Sequence, residues 1–410
     1  MTRNHRPRRL ARAAALAAVL VALAACATEY PNTTFEHTTD FNTAIDGLWD
    51  KLLLWGTVVF VFVEAILVYT IIKFRRREGA PPPRHVHGNT TLEILWTLIP
   101  VVILALIAVP TVQTIFRTQS RAPAGALQVD VIGHQWWWEF RYPQYGVVTA
   151  NELYLPLGRT ANFSLRSADV IHSFWIPRLG GKRDLITNHT NYLWFTPDSS
   201  LGANAFNGSC NEFCGISHAN MKFRAFTVSP ADFERWAAHQ KSPAMFGAAA
   251  PAPATPALAA PVTGPPAGPR DAAFVFPAAV PAYAIPDTPI PGGLAFPAGL
   301  VGDPERGRTT YSSSACIGCH VITGNPMSMG MMGPNLTHVG SRFTIGSGLY
   351  ANDARHLALW IKNARRMKPG SVMPTLGKGE YDPVTKQTMS AGALDDQQIA
   401  DIVAYLQALK

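Results

Sequence analysis

Two stretches of the chain are apolar all round, about Leu48 to Ile72 and about Leu92 to Phe116. Each is close to the ~20 residues a helix needs to cross a hydrocarbon layer, so the pattern predicts two membrane-spanning helices. From Ala126 to about Pro230 the period changes to two. Leu127, Val129 and Val131 alternate with polar neighbours, as do Trp136, Trp138 and Phe140, and later Ala161, Phe163 and Leu165. Such alternation, broken by Pro and Gly, predicts half-buried strands stacked as an antiparallel β-sandwich. Between about Ser242 and Leu300 the pattern dissolves into Ala, Pro and Gly, as in Pro251-Ala252-Pro253-Ala254-Thr255-Pro256. That composition predicts an extended, semi-rigid tether. Helical period returns over Leu394 to Leu406, where Ile399, Ile402, Val403 and Leu406 share one face.

The charge pattern assigns an address. Residues 1–25 combine an Arg-rich start with a short apolar stretch, the form of a secretory signal. Leu23-Ala24-Ala25-Cys26 is similar to the bacterial lipobox, which would make Cys26 an acylated first residue. The alternative is an ordinary cleaved leader with an incidental cysteine. Lys73-Phe74-Arg75-Arg76-Arg77 and Arg84 lie between the two apolar runs, and the positive-inside rule puts that loop in the cytoplasm. Everything from Thr118 onward is then expected on the external, periplasmic face of a bacterial inner membrane. The formal net charge of +8 points to nucleic acid only until it is located. Arg3, Arg6, Arg8, Arg9 and Arg12 all belong to the leader, and no nucleic-acid partner is expected. A chain of 410 residues with 15% charged side chains is long enough for two to three folded domains, and its 5 cysteines are too few for a disulfide scaffold. Two carboxylates belong to the apolar runs. Glu64 inside the first is expected to face a helix of another subunit, with a proton role as the alternative, and Glu93 opens the second, where it suits the helix dipole.

The densest chemistry lies in one loop. Cys210, Cys214, His218 and Met221 follow in Cys-x3-Cys-x3-His-x2-Met order, with Glu212 between the thiols and His172 upstream. Thiolate, thioether and imidazole together are a ligand set for copper, and a second cysteine suggests more than one metal. A tetrahedral zinc site and a disulfide are the other readings these residues allow.

The hairpin, Gly133-His134-Gln135-Trp136-Trp137-Trp138-Glu139, the His172 stretch and the Cys210–Met221 loop together resemble subunit II of the haem-copper cytochrome c oxidases. The resemblance spans roughly residues 40 to 240. It implies a cupredoxin-like sandwich and a mixed-valence centre of two copper ions held by His172, Cys210, Cys214, His218 and Met221. Glu212 would give its backbone carbonyl to one copper and its carboxylate to a magnesium shared with subunit I. Trp136 would be the surface residue where electrons arrive, and Glu93, in Glu93-Ile94-Leu95-Trp96, would stand near the mouth of a proton path. After Leu179-Gly180-Gly181-Lys182-Arg183-Asp184 the chain has Thr187-Asn188-His189 in place of the family's usual Pro-Gly turn. This bears on a loop contact with subunit I and leaves the ligand set intact.

Cys316-Ile317-Gly318-Cys319-His320 is the attachment sequence for c-type haem. Cys316 and Cys319 would bind the porphyrin and His320 the iron. The region resembles an all-α class I cytochrome c, which implies Met373, followed by Pro374, as the distal ligand. It also implies that Gly333-Pro334-Asn335-Leu336 lies on the proximal side, with Pro334 helping to fix His320. Met327, Met329, Met331 and Met332 read as a Gly-rich loop.

The expected division is a signal at 1–25, a membrane hairpin at 40–117, a copper domain at 118–241, a linker at 242–300 and a cytochrome c domain at 301–410. The expected function is electron input to a cytochrome c oxidase, from haem c to the two-copper centre and on to subunit I. The implied partners are the other oxidase subunits, the lipid membrane, and an upstream cytochrome or quinol-cytochrome c reductase as donor. A copper-containing nitric oxide reductase and a non-catalytic membrane-anchored electron shuttle are the rival readings.

Overall fold

The computed structural model describes residues 16, 17, 19, 30–76, 79, 87–244 and 274–410. Cys26, most of the signal and part of the tether and of the basic loop lie outside the described residues.

Helices α1 (Asp40–Lys73) and α2 (Thr90–Gln119) contain the two apolar runs, lengthened at each end by polar turns. Those turns are fixed by side-chain caps: Thr39 accepts from the Asn42 amide and Asn89 from the Leu92 amide. Phe60, Phe62 and Leu104 are exposed on the helix flanks, as suits a surface that meets lipid, and Glu64 is half-buried. The hairpin is bonded to the sandwich at the end where α1 begins and α2 finishes. Thr39 Oγ1 donates to the Leu179 carbonyl at 2.7 Å, Asn42 Nδ2 to Pro177 at 3.2 Å, and Trp194 Nε1 to Ser120 at 2.8 Å.

Ten strands follow in two facing sheets. One is ordered β3-β2-β1-β5-β8, from Val147–Ala150, Trp137–Tyr142, Leu127–His134, Ala161–Ser167 and Asn191–Phe195. The other is ordered β4-β10-β9-β6-β7, from Glu152–Pro156, Lys222–Val228, Asn204–Cys210, His172–Trp175 and Arg183–Leu185. Leu127, Val129 and Val131 point inward with Trp138, Phe140, Phe163, Phe174 and Phe223, all fully buried. The sandwich is antiparallel except at two pairs, β1 with β5 and β4 with β10, which run parallel. Alternation shows which face of a strand is buried and is silent about a neighbour's direction, so the sequence pattern does not reveal these pairs. Helix α3 (Pro230–Lys241) closes one end by packing Trp236 on Tyr142 and Tyr154.

The tether expectation needs correction where residues are described. Residues 274–300 are not extended through solvent. Phe276 and Ala284 are buried in the sandwich core, and Leu294 is buried in the core of the C-terminal module. Phe274, Phe276 and Tyr283 are large enough to anchor this segment to a neighbouring surface. Phe276 meets Phe226 of β10 at 5.2 Å and Phe343 of the C-terminal module at 6.0 Å, joining the three parts in one aromatic contact.

The C-terminal module is helical: α4 (Pro304–Ser312), α5 (Ala354–Met367) and α6 (Asp396–Ala408), with two minimal hairpins, β11 (Thr344–Ile345) with β12 (Tyr350–Ala351) and β13 (Tyr381–Asp382) with β14 (Gln387–Thr388). Asp353 caps α5, and Asp395 with Gln398 forms a capping box that starts α6 two residues later than its apolar pattern begins. Helices α4 and α6 touch through Gly307, where a Cβ would stand 1.9 Å from the Asp401 carbonyl oxygen. Arg306 binds both carboxylate oxygens of Asp401 at 2.9 Å beside that contact.

Candidate metal and haem sites

Strand pairing brings the predicted copper ligands together. His172 opens β6 and Cys210 ends β9, and these strands run antiparallel with Phe174 opposite Cys210. The His172 Nδ1 therefore lies 3.8 Å from the Cys210 Sγ. The loop after β9 turns back, and the Cys210 amide donates to the Met221 carbonyl at 3.0 Å. Within the loop the Cys214 Sγ lies 3.7 Å from the Cys210 Sγ, 3.6 Å from the His218 Nδ1 and 3.9 Å from the Met221 Sδ. The carbonyl of Glu212 lies 3.3 Å from the Cys210 Sγ, while its side chain is exposed. Both thiols are free and too far apart for a disulfide, whose sulfurs stand about 2.05 Å apart. His172, Cys210 and Cys214 form a buried group whose ligand atoms all lie within 4.8 Å of one another. Soft donors converging in a buried space fit copper.

The electrostatics follow from these contacts. Contact with Cys214, helped by His172 and the Glu212 backbone, pushes the Cys210 thiol down to about 3 against burial, and the same contact pushes Cys214 up. Burial disfavours a charged His172, but its hydrogen bonds to Asp169 and Cys210 outweigh this and raise its pKa. The Asp169 Oδ1 accepts from the His172 Nε2 at 2.8 Å, which leaves Nδ1 facing the thiols. Asp169 also accepts from the Gln135 amide at 2.6 Å. It reads in the sequence as an ordinary surface acid, and its place three residues before His172 is the only signal that could have singled it out.

Trp136 is half-buried beside the loop, and its Nε1 donates to the Cys214 carbonyl at 2.9 Å, as does the Gln135 Nε2. Two further acids that read as surface groups are buried. Glu139 bonds His134 at 3.2 Å and pairs with Arg141. Glu152 is 3% exposed and accepts from the Phe343 and Thr344 amides of the C-terminal module at 2.7 and 3.1 Å. Burial pushes its carboxyl up to about 7, opposed by Arg342 and those amides.

The second site is a cavity of about 490 Å³ in the C-terminal module, lined by Cys316, Cys319, His320 and Met373. Both cysteines sit on one tight turn, in which the Cys319 and His320 amides donate to the Cys316 carbonyl at 3.2 and 3.0 Å. The His320 Nδ1 lies 2.8 Å from the Pro334 carbonyl, which fixes the ring and leaves Nε2 for a ligand bond. Burial lowers the pKa of His320 and keeps the imidazole neutral. A largely apolar cavity beside two thiols and a held neutral imidazole fits a haem. Met331 and Met332 line its rim but are strongly exposed, as are Met327 and Met329. Trp136 and Trp137 of the sandwich line the same cavity from across the module boundary.

The remaining predicted residues lie apart. Glu93 is exposed in the first turn of α2, its amide bonded to the Asn89 carbonyl at 3.0 Å. His189 is exposed on its loop.

Sequence profiles of three families match in chain order. The cytochrome C oxidase subunit II transmembrane domain covers residues 17–114, its periplasmic domain 147–228, and cytochrome c 304–410. The cytochrome c oxidase subunit 2 of Alkalihalophilus pseudofirmus is 30% identical over 376 residues, 88% of this chain and 87% of that one. The chain belongs to the cytochrome c oxidase subunit 2 family. The subunit 2 of Bacillus sp. strain PS3 is 31% identical over 82% of this chain and 80% of its own length. A probable cytochrome c oxidase subunit 2 of Rickettsia bellii is 33% identical, matching 48% of this chain and 80% of its own. Membership makes the chain a membrane-anchored part of an oxidoreductase complex, associated with the other oxidase subunits. Its families imply copper and haem, and its fused cytochrome c module gives it an electron-input role in the oxidase.

Proposed function

We propose that the chain feeds electrons to subunit I for the reduction of oxygen to water with proton pumping, and that Cys316, Cys319, His320 and Met373 would hold a covalent haem c where those electrons enter. A two-copper centre would be held by His172, Cys210, Cys214, His218, Met221 and the Glu212 carbonyl. The observation that carries this reading is the buried cluster around two free thiols 3.7 Å apart, set beside the Trp136 that also lines the haem-sized cavity. When bound, the haem iron and the copper pair each accept and release one electron.

The protein's own part is positioning. Asp169 orients His172, Pro334 orients His320, and the pairing of β6 with β9 brings His172 to Cys210. Burial of His172, Cys210, Cys214 and Met221 keeps water from the donors, so little solvent has to reorganise around a changing charge. The exposed Glu212 carboxylate would bind a magnesium shared with subunit I, and exposed Glu93 would serve a proton path there. Trp136 is the residue through which electrons arrive at the copper loop. An upstream cytochrome or quinol-cytochrome c reductase would be the donor. The membrane would be the bacterial inner membrane, with both redox sites on its periplasmic face and Cys26 lipidated, and the domains divided as the sequence pattern suggests except that 274–300 packs on its neighbours.

Replacing one thiol in the assembled oxidase, Cys210→Ser, tests the reading. The donor should still reduce the haem while the near-infrared copper band and oxygen consumption are lost. Undiminished oxygen consumption without that band would overturn it.

A further inference from the structure

Two segments of the cytochrome module grip the sandwich beside the copper loop. The first is the turn after β11. Ser347 Oγ donates to the Trp136 carbonyl at 2.6 Å, the Ser347 carbonyl accepts from the Lys222 amide at 3.2 Å, and the Gly348 carbonyl accepts from Arg224 Nη2 at 3.1 Å. The second is Lys368-Pro369-Gly370, directly after α5. Lys368 is 3% exposed, and its Nζ donates to Ser347 Oγ at 2.8 Å and to the Trp136 carbonyl. Ser217 Oγ donates to the Pro369 carbonyl. Gly370 has φ +91°, and a Cβ there would stand 2.5 Å from the Ile216 side chain and 2.9 Å from the Trp136 ring.

The connectivity joins the two sites. Ser217 immediately precedes His218, and Trp136 bonds the Cys214 carbonyl at 2.9 Å. On the other side, Gly370 is three residues from Met373. Burying a lysine against one carbonyl and one hydroxyl costs free energy that a freely swinging module would have no reason to bear.

We propose that Lys368-Pro369-Gly370 is a docking clamp that fixes the cytochrome module on Trp136 and the Cys214–His218 loop. Electron hand-over inside the subunit then crosses a preset contact and needs no encounter of a tethered partner. The proposal rests on the haem and copper assignments above. One electron leaves the ferrous haem, which becomes ferric, and reduces the oxidised copper pair, with no bond made or broken and no proton moved. The clamp residues are positioning residues.

The test uses the full-length chain in the assembled oxidase, with Lys368→Met and Ser217→Ala. Hydrogen exchange over 343–348 reads the docking. Rapid photoreduction of the haem at increasing glycerol and salt reads the transfer. The wild type should show protected 343–348 amides and a transfer rate indifferent to viscosity and ionic strength. Lys368→Met should lose the protection and transfer about 10- to 100-fold more slowly, with a rate that falls as viscosity rises. Ser217→Ala removes one hydroxyl and should show the same effects more weakly, so the test survives if Lys368→Met does not fold. A wild-type rate that falls with viscosity, or variants that keep both spectra and transfer at the wild-type rate, would overturn the clamp. A wild type without the copper band would overturn the metal assignments and the transfer route together, while the exchange data would still decide whether the module is docked.

Discussion

Asp169→Asn is the substitution whose consequence can be worked furthest. The Asp169 Oδ1 holds the His172 Nε2 at 2.8 Å and also accepts from the Val170 amide at 2.7 Å, while Oδ2 takes the Gln135 amide at 2.6 Å. An amide of the same shape keeps one acceptor oxygen where the carboxylate offers two, and it removes the negative charge that makes His172 a better donor. Loss of such an outer hydrogen bond weakens metal affinity about 10- to 100-fold, or about 1.4–2.7 kcal/mol. The assay is chelator competition on the full-length chain, followed by the near-infrared copper band. Asp169 also raises the pKa of His172, so it strengthens the proton's hold on the ring as well as the metal's. The deficit of the variant should therefore be greatest where His172 is neutral and should shrink in acid. Copper affinity within twofold of the wild type at pH 8 would refute the argument that Asp169 orients this ligand.

Three other perturbations have defined outcomes. Gly307→Ala puts a methyl group against the Asp401 carbonyl at the contact of α4 and α6, and overpacking of this kind costs about 1–3 kcal/mol or more; thermal unfolding followed by haem absorbance should fall by several degrees, and an unchanged midpoint would contradict the close contact. Met373→Ala should change the ferric haem spectrum through loss of a sulfur ligand, whereas Met331→Ala, at an 86% exposed residue, should leave it unchanged; the reverse result would reassign the distal ligand. Burial pushes the Lys368 amine down to about 7, opposed by the Cys214 sulfur, and on undocking the amine returns toward its ordinary 10.5. The undocked form binds more protons between those values, so docking should tighten as pH rises from about 7 to 10.5. Protection of 343–348, corrected for intrinsic exchange, should show that rise in the wild type and not in Lys368→Met.

What the sequence made legible is what local spacing encodes. Cys210, Cys214, His218 and Met221 are close in the chain and need one loop to converge, and Cys316, Cys319 and His320 need one turn. The buried faces of β1 and β5 were visible because alternation is a local property. Contacts between distant segments were not visible. Nothing in the sequence singles out Lys368 or Glu152, because their partners are 232 and 191 residues away in the chain. The connector misleads for a related reason: its Ala/Pro composition describes its stiffness, while Phe274, Phe276 and Tyr283 decide whether it adheres to a surface. Asp169 is a different case, since an acid beside a histidine is common and only the fold shows that the two face each other.

The central claim is that one chain carries a two-copper centre and a covalent haem. Metal analysis of the full-length chain, matured in a host that attaches c-type haem, tests it most directly when combined with acid-acetone extraction and near-infrared spectra. Two coppers per chain, one haem that resists extraction and the near-infrared band of a thiolate-bridged pair are expected. A single zinc, oxidised Cys210 and Cys214 without copper, or a haem that extracts freely would contradict the account.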